Sequence, residues 1–329
     1  MIHFLRLIRV KNLIIIALTM YAVRFFYFTI GGKIDVHPLF EQIHFFLLTF
    51  STMCIAAAGN IINDYFDVKA DKINRPEKLI VTKHISKRKA IIWHWTLNGI
   101  GFIIACYLSV FYQTFWYAFI HLISINVLWL YSVYFKRKFV LGNVFIASLT
   151  ALVVLLSGFH FYHVCSYELH PILAAKITIP ESLNYAVIYW KNLFLDAGNF
   201  IFLLCFFAFV LNLGREIVKD MEDVEGDKLL HAQTIPIVLG NSAAKWIAFC
   251  ILSTVPLFYI LFLVLHIADH QFNHVLATLP VFIASLLVVL ALILLIFVQS
   301  TPKNLKVVDK LIKLAMLVGI MTPFYWWVL

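Results

Sequence analysis

Leu276-Ala-Thr-Leu-Pro-Val-Phe-Ile-Ala-Ser-Leu-Leu-Val-Val-Leu-Ala-Leu-Ile-Leu-Leu-Ile-Phe-Val298 runs through the sequence without a charged side chain. A helix crossing a bilayer core needs roughly 20 mostly apolar residues. Leu193 to Leu213 is a second long apolar run, with Asp196 as its one charge, and the remainder of the chain follows suit. Of its 329 residues, 63% are hydrophobic and 13% charged, whereas a soluble domain has about a quarter charged. A membrane β-barrel would alternate polar and apolar residues over segments of ~10, and no such alternation occurs. The fold class is therefore all-α, a polytopic membrane bundle, with residues 1–329 forming one domain.

The apolar runs place about nine transmembrane helices, at 11–30, 42–62, 89–111, 114–135, 140–164, 193–213, 241–265, 274–298 and 310–329. Short connections make the third, fourth and fifth antiparallel neighbours. Arg6, Arg9 and Lys11 precede the first run, but no small-residue cleavage site follows, so that run is a span rather than a signal peptide. With a cytoplasmic N-terminus, 22 of the 26 Lys and Arg residues fall on the cytoplasmic side, all but Arg24, Lys33, Lys176 and Lys191. The positive-inside rule expects this bias, and an eight-helix count would scramble it. The net charge of +9 thus reflects topology, not nucleic-acid binding. Residues 166–192 read as an external loop with a short interfacial helix.

The acids are less evenly spread. Nine of the 17 acidic residues lie in two short segments, and a tenth, Glu77, borders the first; both segments are cytoplasmic in this topology. The first reads Asn60-Ile-Ile-Asn63-Asp64-Tyr-Phe-Asp67-Val-Lys-Ala-Asp71-Lys-Ile-Asn74-Arg75-Pro76. The second reads Arg215-Glu216-Ile-Val-Lys219-Asp220-Met-Glu-Asp223-Val-Glu-Gly-Asp227. Asp64, Asp67 and Asp71 are spaced i, i+3, i+7, and Asp220, Asp223 and Asp227 repeat that spacing. On a helix each trio shares one face, where like charges repel. Solvated loops whose acids balance nearby lysines would explain one such cluster, but not two with matching spacing. A bound cation does explain them. Mg²⁺ prefers oxygen ligands and binds through a few carboxylates together with substrate phosphate. Asn63, Asp64, Asp67, Asp71, Asp220, Asp223 and Asp227 are the expected metal ligands, holding Mg²⁺ around a diphosphate. The five aspartates Asp64, Asp67, Asp71, Asp223 and Asp227 are the expected catalytic set.

A diphosphate needs further cationic and amide partners. Asn60, Asn63, Arg75, Lys136, Arg137, Arg215 and Lys219 lie on the same side, and Arg9 and Asn12 open the first span within reach of a cytoplasmic pocket. Topological anchoring is the plainer reading for the bases. His231 follows the second acidic segment as a candidate base. His160 and His163 fall at the outer end and read as interfacial, and Arg24 as a side chain snorkelling to the outer surface. The five cysteines make no C-x-x-C pair and read as packing residues.

At these residues the sequence resembles the UbiA superfamily of membrane prenyltransferases. Asn63-Asp64-x-x-Asp67-x-x-x-Asp71 is similar to its first motif, Asp223-x-x-x-Asp227 to its second, and Tyr131-Ser-Val-Tyr134-Phe-Lys136-Arg137 to its basic connection after the fourth helix. Asn63 to Pro76, Arg215 to Asp227 and Thr234-Ile-Pro236-Ile-Val-Leu-Gly240 look most like the digeranylgeranylglyceryl phosphate synthase branch. After Pro76 this chain departs from it with Glu77-Lys-Leu-Ile-Val-Thr-Lys-His. The resemblance implies helices around a central cavity open to the bilayer, with the prenyl tail among apolar side chains. A Mg²⁺-held diphosphate would sit at the cytoplasmic end, and the acceptor would attack an allylic cation-like species.

The expected reaction is transfer of a prenyl group from a polyprenyl diphosphate, geranylgeranyl diphosphate foremost, to a prenylglyceryl phosphate lipid. An aromatic acceptor, as in quinone biosynthesis, is the alternative within the class. A divalent-cation transporter is the alternative outside it, but conduction calls for acids at mid-depth, and these acids lie at one surface.

Overall fold

A computed structural model describes residues 2–30, 38–74, 76–174, 181–229, 231–268 and 278–328. Among them there is no β-strand. The helices are α1 (Ile2–Leu7), α2 (Val10–Ile30), α3 (Pro38–Phe66), α4 (Val68–Asn74), α5 (Lys87–Phe111), α6 (Trp116–Val133), α7 (Leu141–Ala174), α8 (Glu181–Leu229), α9 (Ile235–Val238), α10 (Gly240–Ala268), α11 (Leu279–Phe297), α12 (Pro302–Ile320) and α13 (Thr322–Val328). Eight of these are long and apolar enough to cross a membrane. The ninth expected span is α12 with α13, whose first turns carry Lys303, Lys306, Asp309, Lys310 and Lys313. All nine expected runs are thus helical.

Short polar signals set the helix starts. Ser86 caps α5, its hydroxyl accepting from Lys89 N at 3.4 Å. Thr301 does the same for α12 with Asn304 N at 3.4 Å, with Pro302 in the first turn, where the missing N–H costs nothing.

Two apolar masses hold most of the helices, and a smaller one of Leu7, Ile61, Val81 and Ala90 lies where α1, α3 and α5 meet. Ile217 of α8, Leu252 of α10, Val288 of α11 and Ile312 of α12 lie in one. Met20 of α2, Leu48 of α3, Leu108 of α5, Tyr117 of α6 and Leu156 of α7 lie in the other. Val23, Phe26, Val154 and Ile201 join the two where α2, α7 and α8 meet. Lipid tails are as apolar as these side chains, so close packing rather than water exclusion holds the helices together. Gly101 shows this: a Cβ there would lie 2.9 Å from the Ser51 carbonyl oxygen, so α5 sits directly on the backbone of α3.

The stretch expected as an external loop departs most from the sequence reading. The backbone of α7 continues as helix to Ala174, and α8 is already helical at Glu181, while residues 175–180 lie outside those described. Lower apolarity and two prolines suggested a loop. Pro171, however, stands in the last turn of α7, and Pro180 immediately precedes α8, where proline is compatible with helix. At its other end α8 runs on to Leu229 and carries the second acidic row beyond the apolar stretch.

Candidate active site

The first acidic row rides on the end of α3 and on α4. α3 ends at Phe66 and α4 begins at Val68, but Asp67 N still donates to Asn63 O at 2.9 Å and Asp71 N to Asp67 O at 2.8 Å. The i→i−4 ladder thus crosses the junction, and Asp64, Asp67 and Asp71 remain neighbours on one side. The second row lies wholly within α8. Since α4 packs against α8, the two rows adjoin each other at the same end of the bundle.

Lys136, in a one-turn helix between α6 and α7, lies where they meet. Its ammonium pairs with Asp67 Oδ2. Burial opposes its charge, but Asp67, Asp227 and Asp71 outweigh burial and hold its pKa above the ordinary lysine value. One cation therefore interacts with carboxylates of both rows. Asp67 and Asp227 also interact with each other across the gap. A backbone bond from Gln233 N to Arg137 O, 2.8 Å, ties the Lys136 connection to the segment after α8.

Arg9 supplies a second cation. It occupies the corner between α1 and α2 with φ 52°, a left-handed conformation uncommon outside glycine. Its Nη2 donates to Asp64 Oδ1 at 2.6 Å. Burial opposes its charge too, and Asp64, Asp67 and Asp71 together raise its pKa. Among the described residues, Asp71 makes no ion pair. Burial, then repulsion from Asp67 and Asp64, pushes its carboxyl up to about 6.

The other expected residues fare unequally. Asn63 Nδ2 donates to Asp67 Oδ2 at 2.8 Å, fixing that carboxylate. Asn60 is turned away: its amide donates to Ile8 O at 3.0 Å and ties α3 to the α1–α2 corner. Asn12 is exposed in the first turn of α2. Arg215 Nη1 donates to Glu216 Oε1 at 2.6 Å, and its Nε lies 2.9 Å from Asp309 Oδ1 of α12. Lys219 lies 3.4 Å from Glu216 Oε2. These two bases thus serve Glu216 and Asp309. Arg75 lies outside the described residues. His231 is exposed, with φ 54°.

One residue escaped the sequence reading, and a second had entered it only as part of the basic connection. Asn143, in the first turn of α7, donates from Nδ2 to Asp220 Oδ2 at 2.7 Å. Its only signal was an amide at the mouth of an apolar run. Tyr131 of α6 is buried within electrostatic reach of Glu216, Asp220 and Asp67. At the far end of the bundle, Arg24 does not snorkel. Its Nε donates to Glu41 Oε1 at 2.9 Å, and its Nη2 to the other carboxylate oxygen. His160 is not interfacial either: it is 1% exposed, with Nδ1 2.9 Å from the Tyr117 hydroxyl.

Whether this donor set suits Mg²⁺ can be judged from its chemistry. Every acid in the gap offers hard oxygen ligands, and the burial and repulsion at Asp71 are what a cation would relieve. Among the described residues, no three His, Cys, Asp or Glu side chains converge as a closed cage. Mg²⁺ seldom needs one, since it keeps waters and shares phosphate oxygens with one or two carboxylates. The residues fit the ion.

Comparison with known proteins gives the family. Digeranylgeranylglyceryl phosphate synthase of Thermococcus kodakarensis is 29% identical over 204 residues, covering 61% of this chain and 60% of that protein. The chain thus matches about three fifths of that relative's length. Among solved structures, a UbiA homolog from Aeropyrum pernix K1 superposes with TM-score 0.60 at 13% identity, over 94% of this chain and 98% of that one. A UbiA homolog from Archaeoglobus fulgidus, bound to DMAPP and Mg²⁺, gives 0.50 at 18% identity, over 98% and 99%. The profile of the UbiA prenyltransferase family matches residues 16–307, and the chain belongs to that family.

Proposed function

We propose that this protein transfers a geranylgeranyl group from its diphosphate to the free hydroxyl of a prenylglyceryl phosphate, with Mg²⁺, at the cytoplasmic face of the membrane. The observation that carries this is the position of Lys136, whose half-buried ammonium pairs with Asp67 of one row and feels the charge of Asp227 in the other. A gap lined by two carboxylate rows and bridged by a cation suits a metal-bound diphosphate and little else. The name of the Thermococcus kodakarensis relative and the DMAPP and Mg²⁺ in the Archaeoglobus fulgidus structure support the same chemistry.

Lys136 and Arg9 would each let go of a carboxylate and turn to phosphate oxygens, freeing Asp67 and Asp64 as ligands. Asn63 and Asn143 hold Asp67 and Asp220 in place meanwhile. Mg²⁺, when bound, supplies the positive charge that stabilises the leaving diphosphate. The bond between C1 and oxygen breaks, its electron pair leaves with the diphosphate, and C1 becomes electron-deficient. The acceptor hydroxyl oxygen then forms the new ether bond, and the departing diphosphate is the nearest base for its proton. Preorganised charge is the main lever, and the apolar bundle keeps water from the cation.

Purified protein should release pyrophosphate from geranylgeranyl diphosphate only with both Mg²⁺ and acceptor. Asp67→Asn and Asp223→Asn should each lower kcat by about 100-fold or more, the scale of losing one preorganised electrostatic contact. Turnover that survives EDTA, or normal rates in both variants, would refute this function.

A further inference from the structure

We infer that His3 and His84, stacked ring on ring between α1 and the α4–α5 connection, form an acid-sensitive latch that seats α1 and so positions Arg9 on Asp64. The consequence for donor binding rests on the diphosphate reading above. The latch itself does not, and the test separates the two.

α1 has six residues, too few to hold a helix in isolation, so its place depends on what it touches. Leu7 is wholly buried with Ile61 of α3, Val81 and Ile85 of the α4–α5 connection and Ala90 of α5. The Phe4 ring meets Trp93 of α5 edge-on, 4.6 Å between centroids. The third contact is His3, whose ring lies flat on that of His84, 4.0 Å between centroids and 14° between planes. Ile2 and Leu5, on the other side, are exposed. His84 offers a firm seat. Thr82 N donates to Ile85 O at 2.8 Å and His84 N to Ile80 O at 2.9 Å, and Val81 and Ile85 anchor this turn in the apolar cluster.

What α1 holds in place is the corner that follows it. Ile8 N donates to Phe4 O and Arg9 N to Arg6 O, each at 3.0 Å, and Arg9 takes its left-handed φ there. Such a conformation persists only where the surroundings impose it. With α1 unseated, the corner relaxes and the Arg9 guanidinium leaves Asp64.

The latch is shut only while the pair carries at most one charge, because two charged imidazoles face to face repel. A neutral His3 ring can keep its proton on Nε2. A charged ring carries a donor at both nitrogens, and His3 Nδ1 is buried with no partner among the described residues. Arg6 on the same helix, the terminal amine and His84 all oppose charge on His3. Lys78 and Lys83 share the connection with His84, and Lys87, Arg88 and Lys89 follow it, the Lys87 ammonium lying over the Tyr65 ring. The nearby acids do not compensate: Asp64 is engaged with Arg9, and Glu77 is exposed at the start of the connection. Burial, then His84, Arg6 and the terminal amine, hold the His3 pKa below the ordinary 6.5. The seated state therefore disfavours the proton. It is complete above about pH 6.5 and is lost as the pH falls through the lowered value.

The test is hydrogen–deuterium exchange of the full-length protein in nanodiscs at pH 7.5 and 5.5, with rates corrected for the intrinsic effect of pH. Peptides spanning 4–12 and 79–86 should lose at least tenfold in protection at the lower pH, while those of α11 keep theirs. His84→Phe retains a ring for the stack but takes no proton, and should be equally protected at both pH values. His3→Phe should do the same from the other side, and keeps the test decisive if one variant misfolds. Equal wild-type protection at both pH values overturns the latch, as does an acid loss in the folded variants as large as in wild type. Geranylgeranyl diphosphate affinity at pH 5.5 then tests the link to Arg9. Asp71 titrates in the same range, so the proteins are compared at one pH, where His84→Phe should bind at least fivefold tighter than wild type. Equal affinity, with the latch open in wild type and shut in the variant, overturns the positioning of Arg9 alone. No donor binding by any of the proteins at pH 7.5 overturns the diphosphate reading instead.

Discussion

Asp67 accepts from two donors, the Asn63 amide at 2.8 Å and the Lys136 ammonium. An ordinary surface ion pair contributes about 0–1 kcal/mol, and stability alone would not demand this one. A lysine with carboxylates of both rows around it is better understood as a diphosphate ligand held ready. Lys136→Met should weaken geranylgeranyl diphosphate binding by about 100-fold, and Lys136→Arg by less than tenfold, since charge to a charged partner is the larger share of such a contact. Titration calorimetry with Mg²⁺ measures both, and equal affinities across the three proteins would remove Lys136 from the site. Asn143→Ala takes from Asp220 its amide donor. Lost hydrogen bonds to charged groups are worth about 1.5–3 kcal/mol, so kcat/KM should drop by about 10- to 100-fold while the helical circular dichroism signal stays unchanged.

Among the elements, α3 does the most. It bears Asp64 at one end, Ser51 in its middle and Glu41 near the other end, and Gly101 brings α5 hard against it. In Gly101→Val the new Cβ meets the Ser51 carbonyl oxygen, which is backbone and cannot swing aside. Overpacking of this kind costs about 1–3 kcal/mol. Thermal unfolding in detergent should show a lower Tm than wild type, and an unchanged Tm would mean that the helices separate freely there. The helices themselves were legible in the sequence because a bilayer imposes length and apolarity on each span, and those are local properties. Both acidic rows were legible for the same reason, since i, i+3, i+7 spacing is local. What escaped depends on contacts between distant segments. Nothing near Arg24 signals that Glu41, seventeen residues on, will take its charge, nor that His160 will find Tyr117 across a helix pair. The helical backbone within 166–192 escaped for a different reason: Pro171, near the end of α7, did not stop that helix short.

For the molecule as a whole, charge decides direction. The basic residues crowd the end that carries both acidic rows, and the face we propose for that end, from the positive-inside rule, is the cytoplasmic one. In a cysteine-free background, Lys83→Cys between α4 and α5 should react with a membrane-impermeant maleimide only in inside-out vesicles. Gln113→Cys, in the turn between α5 and α6, should react only in right-side-out ones. The reverse pattern would put the acids outside and overturn the assigned face.

The Arg215 side chain reaches Asp309 on α12, and Arg9, near the other end of the chain, reaches Asp64. Segments far apart in sequence thus meet beside the two acidic rows. Arg215 is shared between Glu216 on its own helix and Asp309 on α12, so a displacement of α12 alone would be felt at the second row.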